Sequence, residues 1–184
     1  MSVAFHVLRL LHLIIQLVKI RKLDLKGMKF MDVVFKTEKA VFNYRVAGIW
    51  IENGHVLLHR DINESQWSLP GGRVEIAEDS QSSLKREFRE ELGIDVHVDR
   101  MALVIENFFE HGGRDFHEIG FYYAITSKGN PSSYNEAPFH GIEGERLIFK
   151  WTPIKELNEV ALYPECLRAV LKDMTPYIQH FVVK

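Results

Sequence analysis

Several features are scarce in this chain, and each scarcity excludes a class of protein. Cys166 is the single cysteine among 184 residues, so a framework of intramolecular disulfides is excluded and a reducing, cytoplasmic location is expected. The formal net charge is only −2, so the chain lacks the positive charge with which proteins bind duplex nucleic acid. No apolar run approaches the roughly 20 residues that a transmembrane span needs. A content of 46% hydrophobic and 26% charged residues is typical of a globular domain.

The length predicts one domain, which we place at residues 31–184, after an N-terminal extension over residues 1–30. Polar residues recur in that extension at helical spacing: His6, Arg9, His12, Gln16, Lys19 and Lys22. The pattern predicts a helix with a broad apolar face. Three roles fit such a face: packing on the domain, pairing in a homodimer, or lying on a membrane surface. Alternatively, the natural start is Met28 or Met31, and the extension is not native to the domain.

The most informative stretch is residues 72–94, which read GRVEIAEDSQSSLKREFREELGI. Its second part predicts an amphipathic helix, because Asp79 is a good N-terminal cap and Gly93 is a good C-terminal one. One apolar stripe recurs every four residues: Leu84, Phe88 and Leu92. The helix should therefore bury this stripe and expose an acidic face.

Three glutamates form that acidic face. Helical positions three and four apart lie side by side, so Glu87 lies beside both Glu90 and Glu91. Three carboxylates this close repel one another unless a cation lies among them. Their hard oxygens favour Mg²⁺ or Mn²⁺ over zinc. Arg86 precedes Glu90 by four residues and can hold that carboxylate in place. A solvated, glutamate-rich helix has a similar pattern, so the run by itself leaves both interpretations open.

The whole 23-residue stretch resembles the Nudix box, a motif of glycine, glutamate and arginine at fixed spacings. Every fixed position is filled: Gly72, Glu78, Arg86, Glu87, Glu90, Glu91 and Gly93, with Phe88 and Ile94 in the apolar positions. The resemblance extends from about residue 40 to about residue 172. It implies an α/β fold, specifically the Nudix-type α/β/α sandwich with a mixed β-sheet.

The residue pattern outside the box predicts the same architecture. Residues 41–51 and 55–60 are rich in β-formers, and Asn53-Gly54 between them is a strong hairpin signal. Further strands are expected at 95–98, 101–109, 116–125 and 147–151, with a closing helix over 164–171. Strands flanked by helices predict a layered sandwich. Residues 127–145 are rich in glycine, proline, serine and asparagine and predict a long loop.

The resemblance also implies a reaction and a set of roles. Nudix enzymes cleave a pyrophosphate bond in a nucleoside diphosphate linked to another moiety, such as a nucleotide sugar or a nucleoside triphosphate, and use Mg²⁺ or Mn²⁺. By resemblance, Glu87, Glu90 and Glu91 are catalytic metal ligands, and the Gly71 carbonyl is a further ligand. Three residues would support the site: Glu78, Arg86 and Gly72.

The base that activates water has several candidates. In some Nudix members a glutamate of the helix serves, and in others a loop residue does. Here the predicted loop offers Glu143 and Glu145, and a predicted strand offers Glu118. A carboxylate in the middle of an apolar strand needs a partner, so we expect Glu118 near the site. Glu145 stands just before the last predicted strand.

Substrate contacts are less sharply indicated. Arg60 and Arg73 are candidates for binding phosphate, although surface basic residues are common. Phe139 is a candidate for stacking on a base, as are Trp67 and Tyr134, because every base offers a π-face. No second signature selects one substrate: the proline that marks ADP-ribose hydrolases is absent from residues 108–111.

Two functions are alternatives to hydrolysis: nucleotide sensing and isomerisation of a prenyl diphosphate. A nucleotide-sensing Nudix module would bind without cleavage, but such modules often have decayed boxes and an added DNA-binding domain. An isomerase acting on a prenyl diphosphate would want a cysteine near the site, whereas Cys166 lies in the predicted closing helix.

Overall fold

The computed structural model describes residues 31–127 and 137–184, and the fold is given for these residues alone. The predicted N-terminal helix and Tyr134 lie outside them. The elements follow in the order β1 (Val34–Lys36), β2 (Ala40–Glu52), β3 (His55–Asp61), α1 (Ser80–Leu92), β4 (Val96–His111), β5 (Arg114–Ser127), β6 (Phe139–His140), β7 (Leu147–Pro153), a 3₁₀ turn (Ile154–Glu156), α2 (Leu167–Lys172) and β8 (Gln179–Val183). No helix among them is long and apolar enough to cross a membrane.

The strands form one mixed sheet in the order β6-β7-β3-β2-β5-β4-β8, and β1 pairs with β2. The pairs β2–β5 and β4–β8 are parallel, and the others are antiparallel. The parallel register sets Asn43 of β2 opposite Glu118 of β5. The expectation of a mixed sheet is therefore confirmed.

Two hydrophobic clusters lie on opposite faces of this sheet because strand side chains alternate. One cluster contains Leu84 and Phe88 of α1, and the other contains Leu167 and Leu171 of α2. These four side chains are at most 3% exposed. A helix on each face of a mixed sheet is the predicted α/β/α sandwich.

The strands β2 and β3 pair only beside their hairpin, and residues 68–73 lie between them farther out. Gly48 N donates to the Pro70 carbonyl at 2.8 Å, and His59 exchanges two backbone bonds with Ser68. The loop therefore satisfies backbone groups of both strands. This split in the sheet places Gly71 and Gly72 against the backbone of β2 at Val46.

Three short strands depart from the sequence-based prediction. We expected no strand at 34–36 or 179–183, and we expected 127–145 to be loop, but Phe139–His140 pairs with β7. Strands this short depend on their partners more than on residue preference. The predicted strands at 95–98 and 101–109 are one continuous strand, β4, with two register shifts.

Candidate active site

Helix α1 begins and ends where the sequence predicts. Asp79 Oδ1 accepts hydrogen bonds from the backbone N–H groups of Gln81 and Ser82, both at 3.0 Å. Gly93 ends the helix with φ 69° and ψ 21°, the left-handed conformation that favours glycine. The buried stripe fixes the rotation of the helix, so its acidic side faces the loop in the sheet split.

Arg86 connects this helix to the preceding loop. Its guanidinium lies 3.1 Å from Glu78, 2.9 Å from Glu87 and 3.0 Å from Glu90. It also donates to the Arg73 carbonyl at 3.0 Å. The predicted pair between Arg86 and Glu90 is confirmed, and Glu78 is an anchor for the arginine. One side chain therefore holds two helix carboxylates and the loop together.

The two loop glycines meet different neighbours. A side chain on Gly71 would collide with the Val46 carbonyl at 2.2 Å, and its φ of 147° disfavours any other residue. Gly72 lies directly against the carboxylate of Glu87. Both positions require glycine because the loop lies close to other groups of the site.

A polar cavity of about 450 Å³ opens between the helix and the loop. Glu87 and Glu91 line it together with Gly71 and Gly72, and their side chains are 14% and 7% exposed. Glu90 is 54% exposed and is held by Arg86. Among the described residues, no three acidic, histidine or cysteine side chains already form a metal-binding cluster. Two of the three predicted carboxylates, Glu87 and Glu91, therefore line the cavity. Glu90 lies on the same helix but does not line it.

Burial makes these carboxylates unusually basic. Loss of solvent raises the pKa of Glu87, and Glu90 raises it further while Arg86 opposes the change. Burial raises the pKa of Glu91 to about 8, and the charges of Glu87 and Glu143 add to the shift. A cation in the cavity would remove the cost of ionising them.

The buried His59 and the half-buried Arg45 form a polar pair at the same cavity. Burial and the nearby Arg45 charge lower the pKa of His59 to about 3, so its ring is neutral. The 3.8 Å separation between His59 Nδ1 and Glu91 Oε2 is therefore not an ion pair. Arg45 Nη2 lies 3.3 Å from His59 Nε2 and donates to the Gly71 carbonyl at 3.2 Å.

A second cavity of about 390 Å³ adjoins the first and has an aromatic lining. Its rings come from Trp67, Phe109, Phe116, Tyr122 and Tyr163. It shares several wall residues with the polar cavity: Asn43, Arg45, Glu64, Gln66, Ser68 and Arg73. An elongated ligand can therefore reach from the aromatic lining to the acidic one.

Glu118 lines the aromatic cavity and not the acidic one. Its Oε2 accepts from Asn43 Nδ2 at 2.6 Å, and the residue is 8% exposed. This is the partner that the sequence argument required. Asn43 Oδ1 accepts from Arg73 Nε at 3.0 Å, so the carboxylate is connected to the shared wall.

The other predicted residues are distributed unevenly. Arg60 and Arg73 line the polar cavity, and the Arg60 guanidinium stacks on Trp67 at 5.2 Å. Phe139 stacks on Phe149 at 5.7 Å and lines neither cavity. Glu145 is exposed and also lies outside both.

Glu143 lies closer to the acidic face than Glu145 does. It lines a small cavity with Glu91 and Arg146, and Arg146 Nη2 donates to it at 3.3 Å. The geometry thus favours Glu143 over Glu145 as the loop carboxylate near the helix. Cys166 stands directly before α2 and packs against the hydrophobic cluster that contains this helix.

Comparison with known proteins decides the family. The model of the NUDIX domain matches residues 43–174, which is well over half of the chain. The chain belongs to the Nudix family. The sequence-based recognition and the interpretation as a Nudix-type hydrolase are therefore confirmed at the level of family.

Individual relatives of this Nudix chain are distant. A curated "MutT-like protein" of Streptomyces ambofaciens is 36% identical over 72 residues, which cover 39% of this chain and 47% of that protein. The match thus spans about half of that relative's length. Solved structures extend the likeness in fold alone.

Two solved structures with TM-scores above 0.5 illustrate this likeness. A Nudix hydrolase from Nitrosomonas europaea has a TM-score of 0.52 and 20% identity, with 77% of this chain and 79% of that chain covered. A structure described as a UDP-X diphosphatase has a TM-score of 0.51 and 17% identity, with 80% and 68% covered. Both support the assigned fold.

Sequence reasoning missed Asn43, Arg45 and His59 as site residues of this Nudix chain. The signal was present for Arg45 and His59, since each is a polar strand residue directly next to a buried apolar one, Val46 and Leu58. Such a residue needs a buried partner, as was argued for Glu118. Their mutual contact, however, depends on the split between β2 and β3.

Proposed function

We propose that this chain is a metal-dependent pyrophosphohydrolase that cleaves a nucleoside diphosphate linked to another moiety. The observation that carries the proposal is the pair of adjoining cavities, one acidic and one aromatic, that share a wall containing Arg45 and Arg73. Acidic groups would bind metal, the arginines would face phosphate, and the rings would contact the nucleoside. A cytoplasmic location fits small, soluble substrates of this class.

The donor set of the acidic cavity fits Mg²⁺ or Mn²⁺. Glu87, Glu91 and the Gly71 carbonyl offer hard oxygen atoms. Burial raises the pKa of both carboxylates, and a bound cation would favour their ionised forms. Glu90 would join them by turning from Arg86. When bound, the metal would neutralise the diphosphate and lower the pKa of the attacking water.

The arginines would position the phosphates. Arg45 and Arg73 lie in both cavities, and a guanidinium can donate two parallel bonds to a phosphate. Arg60 Nη1 already donates to the carbonyls of Asp61, Ile62 and Glu64. We therefore assign Arg60 a smaller share in phosphate binding and a larger one in shaping the 61–64 turn.

The aromatic cavity would hold the base. Its volume lies in the range of small-molecule sites, and stacking on an aromatic ring is worth roughly 1–3 kcal/mol per base. Trp67 is the stacking residue that we favour, because it lines the cavity and its ring already stacks with the Arg60 guanidinium. Phe139 would contribute only through the core.

Four carboxylates remain candidates for the base: Glu91, Glu118, Glu143 and Glu145. Replacement of the true base by glutamine should slow turnover with little change in substrate binding, because the lost interaction belongs to the transition state. Placement favours Glu91 or Glu143, which adjoin the acidic cavity, over Glu118 in the aromatic one.

A hydrolysis screen across nucleotide conjugates and triphosphates, with product identification, tests the proposal. We expect a nucleoside monophosphate among the products, activity lost in EDTA, and recovery with Mg²⁺ or Mn²⁺. Hydrolysis in ¹⁸O-water should label one phosphate product, because water attacks phosphorus. Full activity without metal, or label only on the non-phosphate group, would contradict the mechanism. Tight binding of nucleotides without cleavage would favour the sensing module.

A further inference from the structure

The side chain of His59 lies between two of the groups proposed to hold metal. One terminal nitrogen of Arg45, Nη2, contacts both the Gly71 carbonyl and His59 Nε2. On the other side of the ring, His59 Nδ1 lies 3.8 Å from Glu91 Oε2. A chain of polar contacts thus runs from the Gly71 carbonyl to the Glu91 carboxylate.

Arg45 determines which nitrogen of the ring carries the proton. A guanidinium has donors and no acceptor, so His59 Nε2 must accept at their 3.3 Å contact. The proton of the neutral ring is therefore on Nδ1. This N–H is the one on the Glu91 side.

The Nδ1–H group lacks an acceptor within the described part of the chain. His59 is 5% exposed, and its Nδ1 atom is buried without a hydrogen-bond partner there. Burying an unpaired donor is unfavourable, and 3.8 Å is too long for a hydrogen bond. A small turn of the Glu91 carboxylate would satisfy the donor.

We propose that His59 is a positioning residue: its Nδ1–H holds one oxygen of Glu91 and leaves the other for the metal. This inference rests on the proposed metal-dependent function. Carboxylates that bind metal are commonly oriented by such outer hydrogen bonds. A neutral imidazole suits the role beside Arg45, since a second cation would compete with the metal for Glu91.

Two amide substitutions distinguish the roles of the two nitrogens of the His59 ring. His59→Asn places an amide nitrogen near the Nδ1 position, so it keeps the donor toward Glu91. His59→Gln places its amide near the Nε2 position, so it keeps a partner for Arg45 and loses that donor. His97→Asn is the control, because the His97 side chain is 73% exposed.

Mn²⁺ affinity of the full chain, measured by electron paramagnetic resonance without substrate, is the readout. We expect His59→Gln to weaken Mn²⁺ binding about 10-fold, and His59→Asn and His97→Asn to stay close to the unaltered protein. Equal losses for both His59 variants, or no loss for either, would overturn the positioning role. Failure of the unaltered protein to bind Mn²⁺ would overturn the proposed function as well.

A measurement on the unaltered protein does not depend on the variants folding. In ¹⁵N-histidine-labelled protein, the His59 ring should carry its proton on Nδ1, and that resonance should move on addition of Mg²⁺ while His97 stays unchanged. A ring protonated on Nε2, or an Nδ1 resonance that Mg²⁺ leaves unmoved, would refute the inference.

Discussion

A side-chain carbon on Gly72 would lie 2.3 Å from the carboxylate carbon of Glu87. The obstacle is the end of a flexible side chain, which can move aside. At Gly71 the obstacle is the backbone carbonyl oxygen of Val46, 2.2 Å away. This backbone atom cannot move aside. Two adjacent glycines are therefore required for different reasons, one for the position of a ligand and one for the fold.

This difference gives a matched pair of substitutions. We expect Gly72→Ala to fold with little loss of stability and to lose turnover by about 100-fold or more, because Glu87 is displaced. Gly71→Ala should lose about 3 kcal/mol or more of unfolding free energy. Urea unfolding and steady-state kinetics measure both. Equal losses of stability would contradict the explanation.

Replacement of Glu91 should make the protein more stable and less active. Glu91 is 6% exposed, and burial raises its pKa, with smaller contributions from the charges of Glu87 and Glu143. Glu91→Gln removes the cost of burying an ionisable carboxyl group. It should therefore raise the unfolding free energy at pH 7 in EDTA by about 1 kcal/mol and lower turnover by orders of magnitude.

Glu90→Gln is the control for Glu91. Glu90 is half-exposed and paired with Arg86, so its replacement should lower turnover without raising stability. Urea unfolding in EDTA compares the two variants, and greater stability in Glu90→Gln than in Glu91→Gln would contradict the proposed cost of burying Glu91.

The contribution of Arg86 to stability should depend on the shape of its guanidinium group rather than on its charge. Lysine keeps the charge but cannot span Glu78, Glu87, Glu90 and the Arg73 carbonyl at once. We expect Arg86→Lys to cost about 2 kcal/mol of unfolding free energy, less than a fully buried network would because the site is partly solvated. Turnover should fall as well.

Arg89→Lys provides the comparison on the same helix. Arg89 pairs with Asp95 at the surface, where the two side chains are 60% and 81% exposed. Its replacement should change stability by less than about 0.5 kcal/mol. Thermal unfolding of the two variants side by side is the measurement, and similar shifts would show that the Arg86 contacts contribute little.

The N-terminal boundary can be tested by truncation. A chain that begins at Met31 should fold and keep its activity, because the family match begins at residue 43 and the first strand begins at Val34. A chain that begins at Lys39 should be less stable, since it lacks β1 and the ion pair between Asp32 and Arg73. Solubility, thermal unfolding and turnover are compared with the full chain. An inactive Met31 chain would make the extension part of the domain or of a dimer interface.

Local patterns in the sequence determined the helix, its ends and its acidic face. Asp79, the Leu84–Phe88 stripe and Gly93 act within one or two turns of backbone, so neighbouring residues suffice to specify them. The same holds for the Asn53-Gly54 hairpin, whose residues have positive φ angles. Both the fold class and the family could be predicted from these local features.

Only the tertiary structure decided how residues distant in the sequence meet at the site. Arg45, His59 and Gly71 converge because a loop enters between two strands, and Glu118 lies against Asn43 because β2 and β5 are parallel in one register. The short strands β1, β6 and β8 likewise form only on existing neighbours. Hydrogen bonds between strands depend on which edges meet, and the residue spacing within one strand does not specify which distant strand lies beside it.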